Sequence, residues 1–168
     1  MEIPTLTTER LLLRPFRSDD FEAYAAMNAD PQVMQYIDDV QDRAAAFRSL
    51  CANMGHWHLR GYGPWAVEER ATGRFVGRAG LLRWEPWTEM EVGYALIPSA
   101  WGKGYASEAA ARSLRYAHEV VHARGVVSRI LPDNAASIRV AERLGARYAG
   151  DVQLKGKAIS VYAYVDPD

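Results

Sequence analysis

Residues 89–110 read EMEVGYALIPSAWGKGYASEAA. The first nine alternate, with Glu89, Glu91 and Gly93 on one side and Met90, Val92 and Tyr94 on the other. That period of two is the mark of a strand. Gly102, Gly104 and Ala106 follow and open a helix predicted to run from Tyr105 to Ala123. Ala106, Ala110, Leu114, Ala117 and Val121 recur along it every three or four residues as one apolar face. Gly125 marks its end. Val126 to Leu131 reads as a buried strand. Strand, helix and strand in this order imply a parallel pair.

Outward from this unit the pattern changes. RLLLR (residues 10–14) reads as a buried strand stopped by Pro15. Ser18 offers an N-cap to a helix through about Ala29, with Asp19 and Asp20 in its first turn. A second helix is expected from Gln41 to His58, broken by Gly61 and Gly63. Residues 64–69 and 74–84 are strand-like, with the Thr72-Gly73 turn between them. Past the parallel unit, Asn134 caps a short helix reaching Leu144, with Gly145 at its stop. Residues 148–154 and 158–165 suggest a hairpin around Gly156. The predicted class is α/β (α+β): a mixed, mostly antiparallel open sheet of about seven strands with helices on both faces. The 168 residues suit a single domain, 1–168, with one core.

Composition narrows the function. A net charge of −1 gives no sign of nucleic-acid binding. No apolar run approaches the roughly 18 residues that span a bilayer, and no leader pattern opens the chain. The one cysteine, Cys51, has no internal disulfide partner and reads as a small core residue. A cytoplasmic location is expected. Asp38, Asp39 and Asp42 form one acidic cluster and Glu85, Glu89 and Glu91 another. They read either as solvated surface or as a rim attracting a cationic substrate.

The glycine turn carries chemistry. Small residues between a strand and a helix let backbone N–H groups approach an anion, and the helix N-terminus adds unpaired donors. The turn makes a pyrophosphate cradle. A dinucleotide fingerprint fits poorly, because Ser107 stands where its third glycine would be. A nucleotide-triphosphate loop also fits poorly, because Gly104 follows Lys103.

VGYALIPSAWGKGYASEAA (residues 92–110) resembles the acetyl-CoA motif of the GNAT acetyltransferases, and DNAASIRVAERLGAR (residues 133–147) resembles the family's next motif. The opening TERLLLRPFRSDDFEAYAAMNADPQV (residues 8–33) resembles the branch that includes ribosomal-protein N-terminal (alanine) acetyltransferases. The family pattern Gln/Arg-x-x-Gly-x-Gly/Ala reads here Trp101-Gly102-Lys103-Gly104-Tyr105-Ala106, with Trp in place of Gln or Arg. The resemblance implies an acyl-CoA N-acyltransferase fold and acetyl transfer from acetyl-CoA to a primary amine in a ternary complex, without a metal. The acceptor would be a small molecule or a protein N-terminal α-amine, and a homodimer is compatible. By the same resemblance, Leu96 and Ile97 offer backbone groups to the pantetheine arm. Gly102, Lys103, Gly104, Tyr105 and Ala106 hold the pyrophosphate. Asn134 positions the arm and Ser137 sits near the sulfur.

Attack of an amine on a thioester needs a neutral amine, close approach, donors for the oxyanion and a proton for the thiolate. Glu91 is the expected base and Glu89 the second choice; both also read as charges on an exposed strand face. Many relatives place a tyrosine acid where this chain has Ala141, so Ser137 is the expected substitute. Acceptor choice would fall to the helices of residues 20–58, the loop Lys155-Gly156-Lys157, and Trp57, Trp65, Trp84 and Trp87, each of which also reads as core. Two rivals remain at this level. One is a catalytically silent acyl-CoA-binding module. The other is a zinc hydrolase through His118-Glu119-Val120-Val121-His122, with Glu142 as third ligand.

Overall fold

The computed structural model describes residues 2–167. Two short antiparallel strands open it, β1 (Leu6–Thr7) and β2 (Leu11–Arg14). A 3-10 turn at Ser18–Asp20 leads into α1 (Phe21–Ala29), the one-turn α2 (Pro31–Met34) and the long α3 (Arg43–Arg60). β3 (Pro64–Glu69) and β4 (Arg74–Leu82) form a hairpin, and β5 (Glu91–Leu96) pairs with β4. α4 (Tyr105–Glu119) crosses to β6 (Val127–Ile130). Then come α5 (Ala135–Arg143) and the hairpin of β7 (Arg147–Leu154) with β8 (Lys157–Ala163). The sheet order is β1-β2-β3-β4-β5-β6-β8-β7, antiparallel throughout except for β5 with β6. The mixed open sheet is as expected, with eight strands among the described residues instead of about seven. The extra strand, β1, is two residues long, too short for a period to register in the sequence.

Alternation along the strands builds two cores. On the α4 face, Leu11, Leu13, Trp65, Val67, Leu81 and Val92 pack with Tyr116. On the opposite face, Ala66 and Ala95 lie under Phe16, Tyr24, Met27 and Leu50. Trp57, near the end of α3, passes the start of β3 to join the first core, its ring 4.8 Å from that of Trp65. The crossing requires Gly63, where a Cβ would stand 2.5 Å from Trp57 Cδ1.

Several local expectations shift. Ser18 caps no helix: its hydroxyl turns to Asp19, and the Asp20 carboxylate accepts the Arg17 N–H at 2.7 Å. α3 takes its cap from Asp42, which accepts the Ala45 N–H at 2.7 Å, and closes on Gly61 at φ 77°. The buried face of α4 is Tyr105, Ala109, Ala110, Ser113, Tyr116 and Ala117, rotated from the predicted stripe. Tyr116 causes the rotation, because its ring lies edge-on to Trp65 at 5.2 Å. Ser113 tolerates burial because its hydroxyl donates to the Ala109 carbonyl at 2.9 Å. Cys51 is exposed, not core. The buried side of α3 is Ala46, Leu50, Asn53, His56 and Trp57, and Cys51 lies off it. No helix of the described residues is long and apolar enough to cross a membrane.

One buried ion cluster ties the N-terminal segment to the sheet. Arg14 donates to both oxygens of Asp20 at 2.7 Å and to Glu68 at 2.6 Å. Burial opposes ionisation of Asp20, but the Arg14 hydrogen bonds and the Arg17 N–H outweigh it and hold the carboxyl below its usual range. Removing one partner of such a cluster strands the other charge. Arg14→Met is expected to lower stability by about 3 kcal/mol, read from urea denaturation at neutral pH.

Candidate active site

β5 and β6 pair at one position, Glu91 opposite Val127. The Val127 N–H donates to the Met90 carbonyl at 2.9 Å, and the Ser128 hydroxyl to the Val92 carbonyl at 2.7 Å. Beyond these contacts the strands part. Two clefts of about 720 and 790 Å³ meet there and share Gln35, Tyr36, Ile37, Tyr94, Asn134 and Ser137.

The smaller cleft runs over the glycine turn and the start of α4. Gly102 and Gly104 adopt φ 73° and 80°, which favours glycine. α4 has no side-chain cap, so its first N–H groups lack helical partners and open into the cleft with the positive end of the helix dipole. This is a fit for a diphosphate. The turn is strapped from outside: Arg10 donates to the Lys103 carbonyl at 2.7 Å and to Glu108 at 2.7 Å. Thr8 donates to the same carboxylate at 2.6 Å.

The predicted residues divide here. Trp101, Gly102, Gly104, Tyr105, Ala106 and Leu96 line the cleft. The Lys103 ammonium instead lies 3.8 Å from Glu69, and the Tyr105 hydroxyl donates to Glu69 at 2.6 Å. Trp101 donates its indole N–H to the Leu96 carbonyl at 2.8 Å. Ile97 has its N–H on the Val76 carbonyl and its carbonyl on the Ala100 N–H, so its main chain is already committed. With Ile97 turned to β4, strand alternation leaves the Leu96 N–H facing the gap. Arg143, at 3.0 Å from the Ser107 hydroxyl, lines the same cleft and was not foreseen. Only its place one helical turn beyond Arg139 on an amphipathic helix hinted at it.

The larger cleft is lined by the segment after α2, the β4–β5 face, Trp84 and Trp87, and the hairpin tip at Lys155 and Lys157. Asp38, Asp39 and Glu85 stand along it; Asp38 binds Lys155 at 3.0 Å, and Glu85 pairs with Arg60. Trp57 and Trp65 are core, not lining. Inside, the Glu91 side chain is 12 % exposed and its Oε2 has no hydrogen-bond partner among the described residues. Arg129 Nη1 lies 3.6 Å away, beyond hydrogen-bond length. Burial raises the Glu91 carboxyl to about 7, against the pull of Arg129 and, more weakly, Arg78. Glu89 lies outside the strand, half exposed and bound to Arg129 at 2.8 Å.

At the joint, Asn134 caps α5 by accepting the Ser137 N–H at 3.2 Å. The Tyr94 hydroxyl, unforeseen as a site residue, donates to the Ser137 carbonyl at 3.4 Å. Burial pushes Tyr94 up to about 12, so it stays protonated. Tyr94 shares the side of β5 that Val92 packs into the core, and the parting of β5 from β6 opens that side to both clefts. Ala141 is buried and lines neither of the two clefts.

Residues 10–147 match the model of the acetyltransferase (GNAT) domain. The chain belongs to the GNAT acetyltransferase family. Like other GNAT enzymes it is an acetyl-CoA-dependent acetyltransferase that moves an acetyl group to an amine. It is 34 % identical over 162 residues to the YkkB protein of Bacillus subtilis (strain 168), covering 94 % of this chain and 93 % of that one. An acetyltransferase from Agrobacterium tumefaciens str. C58 superposes with a TM-score of 0.90 at 32 % identity, covering 99 % of this chain and 96 % of the other. The ribosomal L7/L12 alpha-N-protein acetyltransferase RimL, solved with coenzyme A, shares the fold at a TM-score of 0.81 and 20 % identity, covering 97 % of this chain and 98 % of that one. The HEVVH segment does not form the helical pair a zinc site uses. α4 ends at Glu119, and His122 lies beyond it at φ 57°.

Two outcomes follow for the GNAT site. Gly104→Ala imposes a left-handed φ on a residue with a Cβ, at about 1–2 kcal/mol, and is expected to weaken CoA binding by about tenfold in calorimetric titration. Glu91 has a folded pKa above its unfolded one, so its ionisation penalises the fold increasingly as pH rises between the two values. Glu91→Gln is expected to stabilise the protein above pH 7 by on the order of 3 kcal/mol. That gain should vanish below about pH 4, as urea titrations across pH would show.

Proposed function

We propose that the protein acetylates a primary amine by direct attack in a ternary complex, with Glu91 as the base. The observation that carries this reading is the junction of the two clefts at Tyr94, Asn134 and Ser137. One cleft has an uncapped helix N-terminus and the other a buried carboxyl raised to about 7. An acyl donor with a diphosphate and an extended arm fits the first, and the amine approaches through the second.

The roles follow from the groups in place. Ionised Glu91 takes the proton from the acceptor nitrogen, directly or through water, as the C–N bond forms. The Leu96 N–H faces the reacting carbonyl and stabilises the oxygen as it gains charge. As the C–S bond breaks, Tyr94 gives its proton to the sulfur, and Ser137 lies beside it as a polar contact. Gly102, Gly104 and the first turn of α4 hold the diphosphate, with Arg143 at the edge. Acetyl-CoA supplies the activated acyl group.

For the acceptor, a protein α-amine is the finer reading. Its support is the likeness to ribosomal-protein acetyltransferases and a cleft open enough for a chain end. The whole described length serves as a single catalytic unit in this reading.

The test is product formation. Thiol release from acetyl-CoA over a panel of amines and short peptides, with acetylated product identified by mass, is expected to show turnover. Binding of acetyl-CoA with no acetylated product from any amine would defeat the proposal. Turnover in wild type should rise with pH through about 7, and Glu91→Gln should lower kcat and remove that step. Tyr94→Phe is expected to lower kcat about 10²-fold with little change in acetyl-CoA affinity, and Ser137→Ala to lower it less.

A further inference from the structure

The acceptor cleft is lined by four acids, Asp38, Asp39, Glu85 and Glu91, and by four cations, Arg78, Arg129, Lys155 and Lys157. Of these cations Arg78 and Lys157 have no ion pair among the described residues, Lys157 standing exposed at the hairpin tip and Arg78 lying half-buried on the floor. On the face of the sheet that forms its floor, Leu82 stands opposite Glu91, Gly80 opposite Gly93 and Arg78 opposite Ala95. Arg78 and Glu91 therefore lie on one face with the Gly80–Gly93 pair between them. A Cβ at Gly93 would meet only Leu82 Cδ1, at 3.5 Å, so the floor is bare at Gly93, while Gly80 lies close against the Gly63 and Pro64 backbone at the start of β3. Arg129, on the same side of β6, is held by Glu89 at 2.8 Å and by the Trp87 ring, 4.2 Å from its guanidinium carbon. Lys155 is bound to Asp38 and Arg60 to Glu85. Arg78 differs: among the described residues its guanidinium has no ion pair, and its Nε is buried without a hydrogen-bond partner.

Glu91 is the carboxylate nearest in role to Arg78, and its ionisation is favoured by the Arg78 charge. With both carboxyls ionised, Arg78, Arg129, Glu89 and Glu91 sum to zero. Once Glu91 has taken a proton from the acceptor, Arg129 still has Glu89, and Arg78 has no counter-charge. A half-buried cation in that position is stabilised by a ligand that brings a negative group.

We propose that the acceptor is an amine that also carries a carboxylate, which Arg78 binds across the bare floor from Glu91. This rests on the acetyl-transfer reading for the place of the amine, and makes Arg78 a specificity residue. The shared chemistry has two sources, the α-carboxylate of a free amino acid or the side chain of an acidic residue at a peptide's N-terminus.

The test separates binding from turnover. Free amino acids and their carboxamides are titrated calorimetrically into protein saturated with CoA, which cannot donate an acetyl group. Peptides amidated at the C-terminus, beginning with Asp or Glu against Asn or Gln, form the second arm. The same pairs are then compared by kcat/KM with acetyl-CoA. At least one acid is expected to bind, and turn over, about 10- to 100-fold better than its neutral counterpart. Arg78→Gln should bring that ratio near one, and Arg78→Lys should restore part of it. A preference in the first arm assigns the α-carboxylate, and one in the second assigns a side chain. Equal handling of acid and neutral members in both arms overturns the proposal, while acetylated product would still uphold acetyl transfer. A binding preference without product supports the Arg78 subsite and defeats the transfer reading instead.

Discussion

The parting of β5 from β6 after a single bridge is the constraint from which the site follows. Parallel strands in a sheet normally continue their ladder and seal the space between them. Here Glu91 and Val127 pair, Ser128 adds one side-chain contact to Val92, and the ladder stops. Main-chain groups of β5 that would have bonded to β6 are left for something else. Trp101 takes one of them, the Leu96 carbonyl. The gap also lets Tyr94, on the α4 side of the strand, and Glu91, on the other side, line one continuous opening.

Electrostatics at the opening are consistent with that geometry. Glu91 is buried because it sits at the last closed point of the sheet, and burial moves its carboxyl toward neutrality. Arg129 moderates the shift, but its Nη1 lies 3.6 Å from Glu91 Oε2, outside hydrogen-bond length. A shorter contact would hold the carboxyl ionised yet weaken it as a proton acceptor. His56 supports the wall opposite: its buried Nε2 accepts the Arg83 N–H at 3.1 Å and its ring lies edge-on to Trp84 at 4.9 Å. Burial lowers its pKa to about 4, so it acts as a neutral acceptor.

The sequence was most legible where one interaction dominates a segment. Asn134 and Gly145 bracket α5 as read, because cap chemistry is local. Gly102 and Gly104 announced the turn because left-handed backbone favours glycine. Legibility failed where partners are distant in the chain. The α4 face is set by Trp65, Cys51 is exposed because Leu50 and Asn53 face inward beside it, and Ser18 loses its cap role because Arg14 draws Asp20 inward. In the site, Glu91 could be named from alternation and family likeness, but Tyr94 and Arg78 could not. The roles proposed for them depend on where β6 leaves β5 and on which cations already have carboxylates.

The strap on the glycine turn joins two parts of the molecule that look unrelated. Arg10 and Thr8, beside the edge strands β1 and β2, hold the turn through the Lys103 carbonyl and Glu108. The N-terminal edge of the sheet and the cleft over the glycine turn are therefore coupled through these hydrogen bonds, so that local opening of one is felt by the other. Fraying of the edge loosens the cradle, and a ligand in the cradle must, by linkage, quiet the edge.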